Sequence, residues 1–522
     1  MEFSKETTIR GSANVNNVFK MLFFLSVFLF AAFIIKIKYF DSDTFFIIAT
    51  GREMSKHGIL YTNPFTEMEG LKIVVQQWLW CYIVYFFYNT FNNLGLMFLC
   101  FLEGLFIFTM FYQVGKENLE DKKLAFIFSL FFTFFLNGFI STRPNALTIG
   151  LLLWEILEIE KYYKDKKNKH LVLILLGQLL ETNLHMALWS VHIMVFFSFL
   201  CSEFFRDFMI NKKFSFRRIL KLRKEIFVCF LLVLVPLINP YGINGWMYLF
   251  NSFNEMLTVL NIKELSPLKI ISFASFLLFC CIVIIIKKII KKETLNIFHI
   301  LLFTGSIFIS SGYIRNLYFL YIGMFLIIMD FLQEGKFYLK IKNMAKNIYN
   351  IIASKKLLYI PIIFVICVFI AFLSVFLMRP EIDYTKRNVD TIKSPTKAMK
   401  YIDKVDKNAA IYTEFNTGAT FEFYGYKIFI DARPELFMKS INKKDDYLLD
   451  FIFSNCNGIY PPDMYEKFKN KHNFRFYFLE KNNMSLMSIH IQNDPEMKLV
   501  VEGEEYMLFE DTSKKEHFEN NK

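Results

Sequence analysis

The sequence predicts an α-helical polytopic membrane protein of about eleven transmembrane helices, with interfacial helices in the first outer loop and a C-terminal extracytoplasmic α/β domain. Three observations predict it. Of 522 residues, 54% are hydrophobic and 65 are Phe, a greasier composition than an average soluble domain has. Apolar runs close to the ~20 residues that cross a bilayer recur through the first three quarters of the chain. From Arg379 the chain turns polar and holds no further run of that kind up to Lys522.

Charge placement orients the runs. A net charge of +12 would suit a nucleic-acid partner if it were spread over a soluble face. It is concentrated instead in short loops between apolar runs, as "KYYKDKKNKH", "FRDFMINKKFSFRRILKLRK", "KKIIKK" and "GKFYLKIKNMAKNIYNIIASKK". Lys and Arg keep such loops on the cytoplasmic side, so the reading is a membrane protein with no nucleic-acid partner. The first run, Met21–Ile35, has no small-residue cleavage site after it and reads as a signal anchor. Seven of eight Cys lie in apolar runs, and Cys456 stands alone in the polar tail, which excludes an intrachain disulfide there.

Taken in order, Lys5, Arg10 and Lys20 hold the N-terminus inside, and the first span delivers Asp41 and Asp43 to the outside. "DTFFIIATGREMSKHG" reads as a helix capped by Asp43 and stopped by Gly58. If both Ile73–Tyr88 and Leu94–Tyr112 crossed the membrane, every basic loop downstream would invert. Ile73–Tyr88 carries Gln76, Gln77, Trp78, Trp80, Tyr82, Tyr85 and Tyr88, and is therefore expected to be an interfacial or re-entrant helix on the outer side. The remaining spans are Leu94–Tyr112, Leu124–Ile140, Asn145–Leu157, Leu171–Thr182, Met186–Phe204, Ile226–Ile238, Ile270–Ile286, Ile297–Ser310, Leu317–Phe331 and Leu358–Leu377. Asn145–Leu157 and Leu171–Thr182 are short for a core of roughly 30 Å, which is one way to shape a cavity.

Two units result: 1–378, with its first outer loop at 38–93, and 379–522. In the second, "AAIYTEF", "YKIFIDA", "FRFYFLE" and "MKLVVEG" read as strands, and "SPTKAMKYIDKV" and "MSLMSIHIQND" as helices.

This threading gathers unusual polar residues on the outer face. Asp41 and Asp43 follow the first span; Arg143 sits in "STRPN", Asn183 and His185 in "ETNLHMALW", Asn239 and Tyr241 in "INPYG", and Arg315 in "SGYIRN". Each has an ordinary reading as well. Asp43 is placed to cap its helix, the two arginines to hold lipid headgroups, His185 to be a satisfied buried imidazole, and "NPYG" to be a turn. Glu103, Glu155 and Glu158 within spans are expected to pair locally or snorkel, and Asp431 with Arg433 to form an internal ion pair. The coincidence on one face points further than any member. A carboxylate there can act as general base toward a hydroxyl, and arginines grip phosphate bidentately. The chain has no Walker loop and no GxGxxG, so the phosphate-bearing substrate expected outside a cell is lipid-linked.

"DSDTFFIIATGREMSKHG" resembles the first outer loop of the GT-C superfamily of polyprenyl-phosphate-dependent glycosyltransferases, such as the protein O-mannosyltransferases and the lipid A aminoarabinose transferase. The resemblance puts Asp43 at the family's base position with Asp41 as its partner, and makes "VVQQWLWCYIVYFFY" a second interfacial helix. A set of uncharacterised bacterial membrane proteins is similar over nearly the whole chain. Their motifs appear here as Asp41, Asp43, Thr50 and Gly51; "NPFT" with Trp78 and Leu79; Arg143 and Pro144; Asn183 and His185; Asn239 to Gly242; Arg315; and "TGATFEFYGYKIFIDARPELF". The chain departs from them at Ile47, where they carry His, and in "GAT" and "DAR" for "GGY" and "DGR".

The resemblance implies an inverting glycosyltransferase of the bacterial plasma membrane, cytoplasmic at its N-terminus, using a polyprenyl-phosphate-linked sugar donor and an acceptor glycan, lipid or protein. Asp43 would be the base, Asp41 would orient the acceptor or join Asp43 in holding a divalent cation, and Arg143, His185 and Arg315 would bind the phosphate. Asn183, Asn239, Tyr241 and Trp78 would support them. Two other classes stay open: a lipid or polysaccharide transporter, and a non-catalytic scaffold of the same fold, to which Ile47 would point.

Overall fold

The computed structural model describes residues 42–211, 221–248, 250, 273–312, 314–333, 395–455, 462–481 and 486–514. The expected spans Met21–Ile35 and Leu358–Leu377, and Asp41, lie outside them. The described chain is mostly helical, with a small sheet near its C-terminal end.

Helix α1, Ser42–His57, carries Asp43 in its first turn and Lys56 and His57 in its last, the charge order that complements the helix dipole. Gly58 ends it at φ 77°, a left-handed position that glycine takes without strain. Asp43 is therefore inside the helix, not its cap, and its carboxylate is used elsewhere. Residues 59–77 are irregular: Asn63 N–H bonds Leu71 O at 2.7 Å and Ile73 N–H bonds Tyr61 O at 3.1 Å. That pairing holds Ile73 out of the helix predicted to start there, and α2 begins at Trp78 and runs to Asn118. It breaks at Asn92 (φ 52°, ψ −137°), in the interval expected to separate an interfacial stretch from a span.

Helix α3, Lys122–Phe135, is capped by Asp121, whose Oδ1 accepts from Lys123 N–H at 2.8 Å; a 3-10 turn, Leu136–Phe139, extends it. Helix α4, Asn145–Asp165, has 21 residues, about 31 Å, and corrects the short span expected at Asn145–Leu157. Its charged second half is paired: Glu158 bonds Lys161 at 2.8 Å and His170 at 2.6 Å. Helix α5, Asn168–Leu184, has 17 residues, about 25 Å. Then follow α6 (Trp189–Asn211), α7 (Arg223–Leu234), α8 (Phe273–Ile290), α9 (Ile297–Gly312) and α10 (Leu317–Gln333).

Among the described residues, three helical stretches, Trp78–Asn118, Lys122–Phe139 and Met186–Arg206, are long and apolar enough to cross a membrane, and Ile297–Gly312 and Leu317–Gln333 are shorter apolar helices. Lipid tails are as apolar as Phe, so packing and polar pairs hold such helices together. Phe111 and Phe325 meet edge-on at 4.7 Å, joining α2 to α10, and Phe132 of α3 closes on Phe325 at 5.3 Å. His299 of α9 ties Asp330 of α10 at 2.8 Å and Glu160 of α4 at 3.0 Å.

The sheet holds β1 (Ala410–Tyr412), β2 (Phe474–Glu480), β3 (Met497–Glu502) and β4 (Tyr506–Asp511) in the order β1-β2-β4-β3, with β1 parallel to β2 and the rest antiparallel. Both faces are covered. Phe476 and Phe478 point to a cluster with Met399 and Ile402 of α11 (Thr396–Val405) and Phe421 of α12 (Phe415–Phe423). Tyr477 and Leu479 face a second cluster that also contains Phe46, Ile47 and Ile48 of α1 and Trp80 of α2. The expected strand "YKIFIDA" reduces to one residue: Ile428 bridges Ile411 on one side and Thr66 on the other. "AAIYTEF" is cut short because Glu414 starts α12, its N–H bonding Thr417 Oγ1 at 3.2 Å. Strands β2 and β3 and the two expected helices form at "FRFYFLE", "MKLVVEG", Thr396–Val405 and Leu486–Asn493; β4 was not expected.

Candidate functional site

The first turn of α1 meets the turn before α4. Asp43 Oδ2 and Arg143 Nε form an ion pair at 2.8 Å, each side chain about a quarter exposed (24% and 25%). Beside them, Thr44 and Thr142 join their hydroxyls at 2.5 Å, and Trp80 Nε1 donates to Thr142 O at 2.7 Å. The segments expected to supply a base and a phosphate anchor are therefore in contact.

The C-terminal end of α5 lies across the start of α4. Thr148, fully buried, donates to Glu181 Oε1 at 2.7 Å and meets His185 Nδ1 at 2.8 Å. His185 sits in the turn after α5, its N–H bonded to Glu181 O at 2.7 Å. Burial holds its imidazole below the ordinary range; Glu181 works the other way, and the exposed Arg315 adds to the lowering from the 3-10 turn Ile314–Asn316. The structure thus brings Asp43 to Arg143, and His185 to Thr148 and Glu181, with the Arg315 charge acting on His185 without a contact.

The supporting residues are braces. Trp78 Nε1 donates to Asn183 Oδ1 at 3.0 Å, and Asn183 Nδ2 donates to Ile238 O at 3.1 Å. Asn239 Oδ1 accepts from Tyr241 N–H at 2.7 Å within the "NPYG" turn. The Tyr241 hydroxyl reaches Leu60 O at 3.0 Å, and Met186 N–H bonds Gln76 O at 2.9 Å. These bonds pin residues 59–78 to the ends of α5 and α7. Among the described residues, no three His, Cys, Asp or Glu side chains are grouped to hold a metal ion. Asp41 lies outside them, and Asp43 is held by Arg143.

Sequence reasoning missed Thr148, Glu181 and His192. Glu181 is four residues before His185, a spacing that puts both on one helical face, and this signal was available. Glu155, expected to pair locally, pairs across helices instead, with His192 Nδ1 at 2.7 Å.

Also missed was the clamp between α1 and the C-terminal sheet. Arg433 does pair with Asp431, at 2.5 Å, but also holds Glu422 at 3.2 Å and reaches Thr50 Oγ1 at 3.4 Å. Its guanidinium lies over Phe46 at 5.0 Å and Phe65 at 5.6 Å. Arg52 donates to Phe423 O at 2.7 Å. Burial pushes the Glu422 carboxyl well above its usual range, with Arg433 opposing. At Gly51 a Cβ would stand 2.1 Å from Cys81 O, so only glycine lets α1 lie this close to α2. The "Thr-Gly" and "Asp-Ala-Arg" motifs are thus the two halves of one joint. Ile47 is fully buried in the same cluster.

Among solved structures the chain is similar to the oligosaccharyltransferase of Archaeoglobus fulgidus in its apo form, with a TM-score of 0.53 and 9% identity, covering 89% of this chain and 69% of that one. It is similar also to the same organism's enzyme tethered by a disulfide bond to an acceptor peptide containing the NVT sequon, with a TM-score of 0.50, 10% identity and coverage of 88% and 69%. At this identity the likeness concerns the fold: the chain has a GT-C-like fold. No family model matches the sequence, and no curated protein matches it.

Proposed function

We propose that the chain is an inverting membrane glycosyltransferase that moves a sugar from a polyprenyl-phosphate donor to an acceptor hydroxyl on the extracytoplasmic face of a bacterial plasma membrane. The observation that carries this reading is the Asp43–Arg143 pair, set where the first turn of α1 meets the turn before α4 on a GT-C-like fold. In the reaction, Asp43 accepts the proton of the acceptor hydroxyl. The oxygen attacks the anomeric carbon as the bond from that carbon to the phosphate oxygen breaks, and the polyprenyl phosphate leaves with the electron pair. Arg315 and His185 take the growing negative charge. Arg143 fixes the carboxylate's direction and is loosened from it when the donor phosphate competes for the guanidinium. The unit 379–522 contacts the acceptor, whether glycan, lipid or protein; the tethered peptide of the solved neighbour is a precedent for the last.

The test is mass spectrometry of envelope glycans and glycoproteins from cells with the protein, without it, and with Asp43→Asn. A sugar modification lost in both of the latter supports the transferase. Full modification with Asp43→Asn sinks the base assignment. A glycan that is made but not exported without the protein supports a transporter, and a modification lost without the protein but kept with Asp43→Asn supports a scaffold.

A further inference from the structure

His185 is held by an unusual chain of groups. The Thr148 hydroxyl has one proton, and it goes to Glu181 Oε1 at 2.7 Å. The 2.8 Å contact between Thr148 Oγ1 and His185 Nδ1 must then be donated by the imidazole. His185 is thereby the Nδ1–H tautomer, with the lone pair at Nε2. Its side chain keeps 11% exposure while Glu181 has none. Beyond Glu181, His192 Nε2 stands 3.8 Å from its carboxylate, and Glu181 Oε2 and His192 Nε2 have no hydrogen-bond partner among the described residues. The charged and titratable groups around the ring are thus Glu181 on α5, Arg315 on the turn before α10, and, one step behind Glu181, His192 on α6 and Tyr318 on α10.

We propose that Thr148 and Glu181 are positioning residues that form a hydroxyl-bridged proton relay, so that His185 takes up one proton at Nε2 when a phosphate monoester binds beside Arg315. This rests on the reading of Arg315 and His185 as the phosphate site. A proton arriving at Nε2 releases the one on Nδ1 to Thr148 Oγ1, and the Thr148 proton passes to the Glu181 carboxylate. Thr148 Oγ1 gives one proton and receives one, the His185 ring exchanges its Nδ1 proton for the one at Nε2, and Glu181 gains one and is neutralised. No lone imidazolium is left beside the Arg315 guanidinium, and Nε2–H now donates to a phosphate oxygen.

The test is calorimetric titration of farnesyl phosphate into the full-length protein in phosphatidylcholine nanodiscs at pH 8, in buffers of differing ionisation enthalpy. The slope against that enthalpy counts protons taken up. Wild type and Thr148→Ser are expected to take up about one proton per ligand. Thr148→Val, nearly isosteric, and Glu181→Gln are expected to take up almost none, with affinity about tenfold weaker. A purely structural role would change affinity or melting while leaving the proton count at one, and that result overturns the relay. Binding that is lost in Arg315→Gln, yet involves no proton uptake in the wild type, leaves the phosphate site standing and removes the relay. If farnesyl phosphate does not bind the wild type, both fall.

Discussion

Asp43 and Arg143 share a 2.8 Å ion pair although neither segment gives a local reason for them to meet. The pair turns two separately plausible residues, a helix-start carboxylate and an outer-turn arginine, into one unit. A partly exposed pair of this kind contributes little to folding, on the order of 0–1 kcal/mol. Its value lies in where it holds a carboxylate.

Asp43→Asn is therefore expected to leave thermal unfolding within about 2 °C of wild type, since the lost pair is weak. Sugar transfer is expected to fall by roughly 100-fold or more, the usual contribution of a general base. Melting by tryptophan fluorescence, read beside turnover, separates the two effects.

Gly51→Ala places a methyl 2.1 Å from Cys81 O, a backbone atom that cannot swing away. The two helices must part, at a cost of about 3 kcal/mol or more. Detergent-solubilised protein is expected to melt well below wild type. A melting point that matches wild type would mean that α1 and α2 do not approach this closely.

Arg433→Met keeps bulk but leaves the buried Asp431 and Glu422 carboxylates without their guanidinium. Breaking such a group on one side costs about 3–5 kcal/mol. Adding Glu422→Gln to the same chain removes one of the stranded acids and is expected to recover part of the loss in thermal melts.

His472 gives the protein a pH response outside the helical body. Burial opposes its charge, but the hydrogen bonds and charges of Asp450 and Glu67 outweigh it and hold the imidazole above its ordinary range. The folded chain thus keeps a proton that the unfolded chain gives up near pH 6.5. The stabilisation is fully present below that pH and is lost as pH rises through the folded value. Melting temperature is expected to decline above pH 6.5 in wild type, with a flatter profile for His472→Gln.

Apolar runs and basic loops made most of the helices legible, because hydropathy is a local property. The far half of α4 was not, since the basic run from Lys161 reads as a loop and the partners of Glu158 and Glu160, His170 and His299, come from other helices. β4 was hidden by acids at both ends of "EEYMLFED". The candidate site could be assembled as a set from the sequence only by counting which turns fall on one side. The partnership of Asp43 with Arg143, and of Thr50 with Arg433, depends on packing between distant segments that no local pattern encodes.

Ile428 N–H bonds Phe65 O at 2.9 Å, and Glu67 N–H bonds Ile428 O at 3.2 Å. A segment made early in synthesis thus finds its main-chain partner only after nearly the whole helical body has been translated. Until then Phe65 and its neighbours present an open strand edge, a surface prone to pairing with other chains. A nonsense mutation anywhere before Ile428 would leave that edge open permanently. The segment around Ile428 is therefore also a seal on the helical body, and products that stop before it should be recognisable to the cell by the edge they fail to cover.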